Sequence, residues 1–330
     1  MRAIVYDRYG SPDGVRVDRI EKPVPRAGEV LVRVHAASVN AADTHLLHGR
    51  PRVMRLSTGW FRPKIRGLGL DYAGVVEGAG PGASGHAIGD AVFGELPQDY
   101  AGTARTFADY VCVPAVSAVR IPAGVSFAEA ATVPLAGSTA LFAVRDGAEA
   151  SAGKHVLING AAGGVGMHAI QLAKHAGATV TAVCSAGKAR AVRAAGADDV
   201  IDYRVQDFTD GDARYDAIVD IACSRPLARC ERVLAAQGRY VWVGGPAGNG
   251  LLGPVSGLLA VVGRSMTRGG DRWRYVARSS TAAEVTTLAG LLAGGGLRPV
   301  IDRRLPLEGV PDALRHLEEG RACGKVVIEL

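Results

Sequence analysis

The chain has 330 residues, 48% of them hydrophobic and 21% charged, with a formal net charge of +6 and a pI near 9.2. This is ordinary globular chemistry with length enough for two domains, and it excludes disordered and fibrous classes. No run approaches the roughly 20 apolar residues of a membrane span, and Met1 to Asp7 lacks a signal-peptide core, so a cytoplasmic protein is expected.

Up to about residue 123 the pattern has period two. In Glu29 to Ala36, Val30, Val32 and Val34 alternate with Leu31, Arg33 and His35, which predicts a strand. Further strands are predicted at Gly74 to Glu77, Ala91 to Phe93 and Phe107 to Val113, separated by glycine turns such as 78–82. From about Ala123 apolar strands alternate with helices, the signature of a parallel sheet. These strands are expected at Val156 to Asn159, Thr179 to Cys184, Val200 to Tyr203, Ala217 to Ile221 and Arg239 to Gly244. Ser224 is predicted to cap a helix burying Leu227, Cys230, Val233 and Leu234. The tail offers a helix at Thr281 to Leu292, a segment Pro299 to Asp302, a short helix near Val310 to Glu319 and a strand from Lys325 to Leu330. The pattern alone does not assign that tail to a domain.

Between Asn159 and Lys174 a strand end, a glycine turn and a helix start follow one another, Asn-Gly-Ala-Ala-Gly-Gly-Val-Gly leading into Met-His-Ala-Ile-Gln-Leu-Ala-Lys. A dinucleotide pyrophosphate needs close approach to such a turn, and a Cβ at Gly163 or Gly166 would block either the ligand or helix packing. Glycine makes up 44 of the 330 residues, so the flanking strand and helix patterns carry most of this inference. About 20 residues further on, a dinucleotide fold normally places an acid for the adenosine ribose. Here Thr179 to Val183 runs into Cys184, Ser185, Lys188 and Arg190, a hydroxyl and two cations, which suits a 2′-phosphate. NADPH is therefore expected as the cofactor in preference to NADH.

Five cysteines, Cys112, Cys184, Cys223, Cys230 and Cys323, show no CxxC spacing, and no metal site is expected. Arg264, Arg268, Arg272, Arg274 and Arg278 gather around Trp273 and Tyr275, the one segment resembling a nucleic-acid patch. Elsewhere cations and acids are interspersed, which argues against a nucleic-acid partner.

Together with the turn, several stretches resemble a known family: Ser38-Val39-Asn40-Ala41-Ala42-Asp43, Gly69-Leu70-Asp71-Tyr72-Ala73-Gly74, Gly89-Asp90-Ala91-Val92-Phe93-Gly94, Gly196-Ala197-Asp198, Ile201-Asp202-Tyr203 and Gly324-Lys325-Val326-Val327. The chain is similar throughout to the medium-chain dehydrogenase/reductases, in their zinc-free quinone oxidoreductase and alkenal or enone reductase branch. The resemblance implies an α/β fold with a GroES-like β-barrel domain (1–123 and 270–330) and a Rossmann doubly wound parallel sheet (124–269) that binds NADPH. It implies hydride transfer to a quinone or an α,β-unsaturated carbonyl, a cofactor cleft between domains, and a homodimer. Zinc-bearing members carry a Cys near 40–42 and a His-Glu pair where this chain has Leu70-Asp71.

Carried over residue by residue, Asn40 would sit beside the nicotinamide or the substrate carbonyl and Thr139 at the nicotinamide end. Gly163, Gly164 and Val165 would hold the pyrophosphate, and Ser185, Lys188 and Tyr203 the adenosine phosphate. Val243, Gly244 and Gly245 would offer main-chain groups to the carboxamide, and Lys325 would reach the cofactor. His45 stands where many relatives carry a tyrosine, and it or solvent would supply the proton. A tailoring enoyl reductase acting on one bulky substrate, or a non-catalytic NADPH- or RNA-binding protein of the zeta-crystallin type, is the alternative.

Overall fold

A computed structural model describes residues 1–97, 105–244, 255–267, 270–276 and 279–330. The β-branched residues of the first third make strands β1 (Arg2–Tyr6), β2 (Val15–Arg19) and β3 (Glu29–Val39). Asn40 ends β3 and opens helix α1 (Ala41–His48), which closes on Gly49 in the left-handed region. A single turn, α2 (Arg55–Thr58), precedes β4 (Asp71–Ala79), β5 (Ala91–Glu95), β6 (Tyr110–Pro114) and β7 (Val119–Arg120). Helices α3 (Phe127–Ala131) and α4 (Pro134–Leu141) follow.

The second third runs β8 (His155–Asn159), α5 (Gly164–His175), β9 (Thr179–Cys184), α6 (Ala189–Ala194) and β10 (Asp199–Asp202). It continues with β11 (Tyr215–Asp220), α7 (Leu227–Arg232), β12 (Leu234–Trp242), α8 (Val255–Thr267) and β13 (Trp273–Tyr275). The tail adds α9 (Ala282–Ala293), β14 (Ile301–Pro306), α10 (Val310–Glu318) and β15 (Lys325–Glu329). Ser224 does not cap α7. Its hydroxyl accepts the Asn159 amide at 3.3 Å, and Pro226 precedes the helix.

The chain divides into two units: Met1–Ser138 with Ser279–Gly295 and Ile301–Leu330, and Thr139–Arg278 with Gly296–Val300. In the first unit β3 is the spine, antiparallel to β4, β6 and β15, so the tail belongs to this unit. Alternate residues Val30, Val32 and Val34 enter its core with Tyr72, Val111 and Val326. In the second unit the described strands form one parallel sheet in the order β10-β9-β8-β11-β12-β13, with both faces covered and Leu157, Val183 and Ile218 buried. The order in which the chain adds strands turns around between β8 and β11, which is where α/β sheets open a ligand crevice at their carboxyl edge.

Two boundaries fall later than the sequence suggests. The first unit ends at Ser138, not 123, because α3 and the first turn of α4 pack on the barrel: Phe127 stacks on His35 at 4.6 Å and the Leu135 N–H donates to Asp71 at 2.9 Å. The second runs to 278, not 269, because β13 extends the parallel sheet beside β12. Residues 296–300 also return to it, through a two-way hydrogen bond between Gln171 and the main chain of Arg298.

Candidate active site

In the first unit, β3, α1, β4 and β15 converge on Asn40. Its main-chain N–H donates to Asp43 Oδ2 at 2.8 Å, an N3 carboxylate reaching back to cap the helix start. The side-chain Nδ2 donates to Asp71 Oδ2 at 2.9 Å and to the Ser38 carbonyl at 3.2 Å, and Oδ1 accepts from Lys325 Nζ at 2.5 Å. Both amide donors are therefore committed within the cluster, which fixes the orientation of the Asn40 side chain. Lys325 is only 3% exposed and also donates to the Val39 carbonyl at 3.0 Å, with Asp71 Oδ2 at 3.6 Å. It lies beneath Asn40 as a buried strut, an arrangement the sequence did not reveal.

Asp71 is the hub of this cluster. Besides Asn40 and Lys325 it accepts from Ser38 Oγ at 2.8 Å and from Leu135 N–H at 2.9 Å. Glu95 stands opposite it on β5, also buried, and accepts from Ser280 N–H at 2.9 Å. Burial pushes the Asp43 carboxyl up to about 7, against the pull of N–H donors from Asn40 and Gly69. Burial, then the charge of Asp71, pushes Glu95 up to about 7 as well, and burial pushes Lys325 down. The ion pair of this cluster is therefore Asp71 with Lys325, while Asp43 and Glu95 are the carboxyls that burial pushes up.

His45 lies on α1, half-buried, and its side chain takes no part in this cluster. Burial, and secondarily the charge of His48, pushes its pKa down. His48 is held by Glu318 at 2.7 Å. Tyr72 is wholly buried in the barrel core.

In the second unit Gly163 caps α5, so the first-turn N–H groups of Gly164, Val165 and Gly166 have no intrahelical acceptors. They sit at the carboxyl end of β8, beside the sheet's point of reversal, and make an anion site. The two glycines differ: a Cβ on Gly166 would meet the Ala161 oxygen at 2.4 Å, whereas one on Gly163 would meet nothing nearer than the Gly160 oxygen at 3.5 Å. Gly166 serves the turn, and Gly163 leaves room for a ligand.

At the carboxyl end of β9, Ser185 opens a single 3₁₀ turn, Ala186–Lys188, in which the Lys188 N–H donates to the Ser185 carbonyl at 2.9 Å. Tyr203, half exposed, bonds back to the Cys184 carbonyl at 3.2 Å, which brings Ser185, Lys188 and Tyr203 to one edge. An acid does pair with Cys184 across the ladder: Asp202, on β10. Its carboxylate accepts the Arg204 N–H at 3.0 Å and so serves its own turn.

At the end of β12 the Val243 N–H donates to the Asp220 carbonyl at 2.9 Å, which leaves its carbonyl as the main-chain group it could offer. Gly244 has φ +82 and its carbonyl faces Cys223 Sγ at 3.3 Å, while Gly245 lies outside the described residues. Thr139 is half-buried on α4, one turn after Leu135. A polar knot missed by sequence reasoning joins the ends of β8, β11 and β12: Asp220 accepts from Asn159 Nδ2 at 2.8 Å and from the Tyr240 hydroxyl at 2.7 Å. The arginine-rich segment works within its own unit, with Arg274 paired to Asp271 at 2.7 Å, Arg272 Nε donating to the Gly238 carbonyl at 3.0 Å, and Trp273 buried. Arg268 and Arg278 lie outside the described residues.

A GroES-like barrel with a parallel dinucleotide sheet defines a two-domain oxidoreductase. Residues 26–123 match the alcohol dehydrogenase GroES-like domain and residues 195–328 match the zinc-binding dehydrogenase family. The chain is 33% identical to a 2-methylene-furan-3-one reductase of Solanum lycopersicum, over 99% of this chain and 79% of that protein. It is 30% identical to a chloroplast envelope quinone oxidoreductase homolog of Arabidopsis thaliana, over 100% and 98%. The solved quinone oxidoreductase of Coxiella burnetii superposes with a TM-score of 0.84 at 29% identity, covering 100% of this chain and 99% of that one. The chain belongs to the medium-chain dehydrogenase/reductases, in the zinc-free quinone and enone oxidoreductase branch, and its family implies a nicotinamide cofactor.

Zinc, which the matched family's description names, does not fit the residues present. Asn40-Ala41-Ala42 supplies no thiolate, Leu70 supplies no imidazole, and the oxygens of Asp71 already face Lys325, Asn40, Ser38 and Leu135. A dication beside that buried ammonium would be repelled. The nicotinamide dinucleotide does fit, since the Gly163 cradle is open and lined with main-chain donors.

Proposed function

We propose that this chain is a zinc-independent, NADPH-dependent reductase that transfers hydride to a quinone or to the C=C bond of an α,β-unsaturated carbonyl. The observation that carries this reading is the Asn40, Asp71 and Lys325 set, an amide, a carboxylate and an ammonium hydrogen-bonded together where metal-dependent relatives need ligands. Without a Lewis acid the acceptor must itself be electrophilic at carbon, as quinones and enones are. NADPH would supply the hydride. The amides of Gly164 and Val165 would hold its pyrophosphate, and Ser185, Lys188 and Tyr203 its 2′-phosphate. Val243, Gly244 and Gly245 would border the nicotinamide with Thr139, and Asn40 would be fixed by Asp71 and Lys325 to orient that end.

His45 is the proposed proton donor to the reduced acceptor. With its pKa pushed down it is mostly neutral at pH 7, so its contribution belongs to the acid side of the pH profile. His45→Phe should lower turnover there while leaving NADPH affinity near wild type, and unchanged turnover removes His45 from the mechanism. A homodimer formed through the sheet edge at β13 and a cytoplasmic location complete the reading. Among the described residues no helix is long and apolar enough to cross a membrane. The test is NADPH and NADH consumption against a panel of quinones, enones and enoyl thioesters. Turnover of a quinone or enone with preference for NADPH is expected. Tight NADPH binding with no turnover of any acceptor would refute the proposal.

A further inference from the structure

Between Thr44 and Leu70 the chain has six lysines and arginines and no acid, so this segment alone accounts for the formal net charge of +6 and the rest of the chain is balanced. While Leu46, Leu47, Leu68 and Leu70 at its ends are buried, the middle of the segment exposes large apolar side chains: Leu56 is 70% exposed, Trp60 54% and Phe61 86%. Singly exposed apolar residues are commonplace, but three together on a basic segment are not.

The turn that presents them is built. Lys64 N–H closes it on the Thr58 carbonyl at 2.8 Å, and the Tyr9 hydroxyl donates to the Gly59 carbonyl at 2.8 Å. Gly59 has φ +117, and a Cβ there would lie 2.1 Å from the Arg62 carbonyl oxygen, so only glycine suits. Arg55 stacks over Tyr9 at 4.4 Å and braces the base. Trp60 and Phe61 are therefore held outward at the tip. Beside them lies a cavity of about 640 Å³ lined by Asp7, Arg8, Gly14, Arg62, Pro63 and Arg66. Among its described lining residues the one acid, Asp7, is already paired with Arg16 at 2.7 Å and with Arg66, which leaves the basin cationic.

We propose that residues 52–66 dock the first unit on an anionic phospholipid bilayer. Leu56, Trp60 and Phe61 enter the headgroup boundary, where indole and phenyl rings partition well, and Arg8, Arg62, Lys64 and Arg66 meet lipid phosphates. A bilayer is favoured over nucleic acid because Leu56 offers no face for base stacking and is exposed with Trp60 and Phe61 on the same basic segment. The inference stands whatever acceptor the enzyme reduces.

Trp60 supplies its own reporter. The other two tryptophans, Trp242 and Trp273, are buried, so a change of emission on binding reads Trp60. The full-length protein is titrated with vesicles of phosphatidylcholine alone and with vesicles of equal parts phosphatidylcholine and phosphatidylglycerol. A blue shift and cosedimentation are expected with the anionic vesicles, at least about ten-fold stronger than with neutral ones and reduced by salt. Leu56→Ser with Phe61→Ser, and separately Arg62→Glu with Lys64→Glu, should each abolish cosedimentation at an unchanged melting temperature. No response to anionic vesicles, or an equal response to neutral ones, overturns the proposal. So does retention of binding by the Leu56→Ser, Phe61→Ser protein, or a shift produced by single-stranded RNA that displaces the lipid.

Discussion

Alanine at Gly163 and at Gly166, introduced one at a time, separates the glycine that faces a ligand from the one that builds the turn. At Gly166 the new Cβ would stand 2.4 Å from the Ala161 oxygen and 2.5 Å from the Gly160 oxygen, both main chain. Reaching an ordinary contact requires the turn to open by roughly 1 Å, and overpacking of that kind costs about 1–3 kcal/mol. In a protein of this size each kcal/mol lowers Tm by about 2–4 °C. At Gly163 the backbone has φ −78 and the nearest atom to a Cβ is 3.5 Å away, so the fold should tolerate alanine within about 0.5 kcal/mol. A pyrophosphate resting on the α5 amides would meet that methyl, however. Losing one charge-assisted hydrogen bond is worth about 1.5–3 kcal/mol, or roughly ten- to hundred-fold in Kd. Thermal melting and fluorescence titration with NADPH read the two effects separately. Wild-type NADPH affinity in Gly163→Ala, or a melting temperature as low as that of Gly166→Ala, would refute the assignment of this turn.

Lys188→Glu should raise KM for NADPH by about ten-fold or more while KM for NADH changes little, and equal changes would remove Lys188 from the phosphate site. Lys325→Met strands the buried Asp71 carboxylate and should cost about 3–5 kcal/mol in urea unfolding. Adding Asp71→Asn should recover part of that loss, whereas additive losses would show that the two do not act as a pair. Asp43 holds its proton to about 7 when folded but loses it near its ordinary 3.8 when unfolded. Between those values the folded chain binds the extra proton, so stability should fall as pH rises, by on the order of 4 kcal/mol. Urea midpoints across that range would check it, Asp43→Asn should flatten the dependence, and a midpoint rising steadily from acid to neutral pH would contradict it.

The parallel sheet was legible because its strands are short apolar runs set between helices: Thr179–Cys184 has the bounds the sequence suggests, and α5 begins within the glycine turn, at Gly164. Other boundaries were less so. β12 begins at Leu234, five residues before the expected Arg239, since a bulge between its pairings with Tyr215 and Ala217 hides the alternation. Helix α1 carries its apolar residues as two adjacent pairs, Ala41-Ala42 and Leu46-Leu47, around Asp43, Thr44 and His45, which gives no strong helical face. The polar cluster was hidden for another reason. Ser38, Asn40, Asp43, Asp71, Glu95 and Lys325 are scattered across the chain, and a charged residue in a strand ordinarily faces water. The one local signal was Asp71 itself, an acid between Leu70 and Tyr72 in an otherwise apolar run.

The central claim is that hydride reaches an acceptor carbon without a bound metal. The most direct measurement is NADPH consumption with 1,4-benzoquinone by protein exhaustively dialysed against a chelator, with its metal content determined on the same sample. Undiminished turnover at a negligible zinc-to-protein ratio is predicted. Activity that vanishes on chelation and returns with stoichiometric zinc would contradict the account.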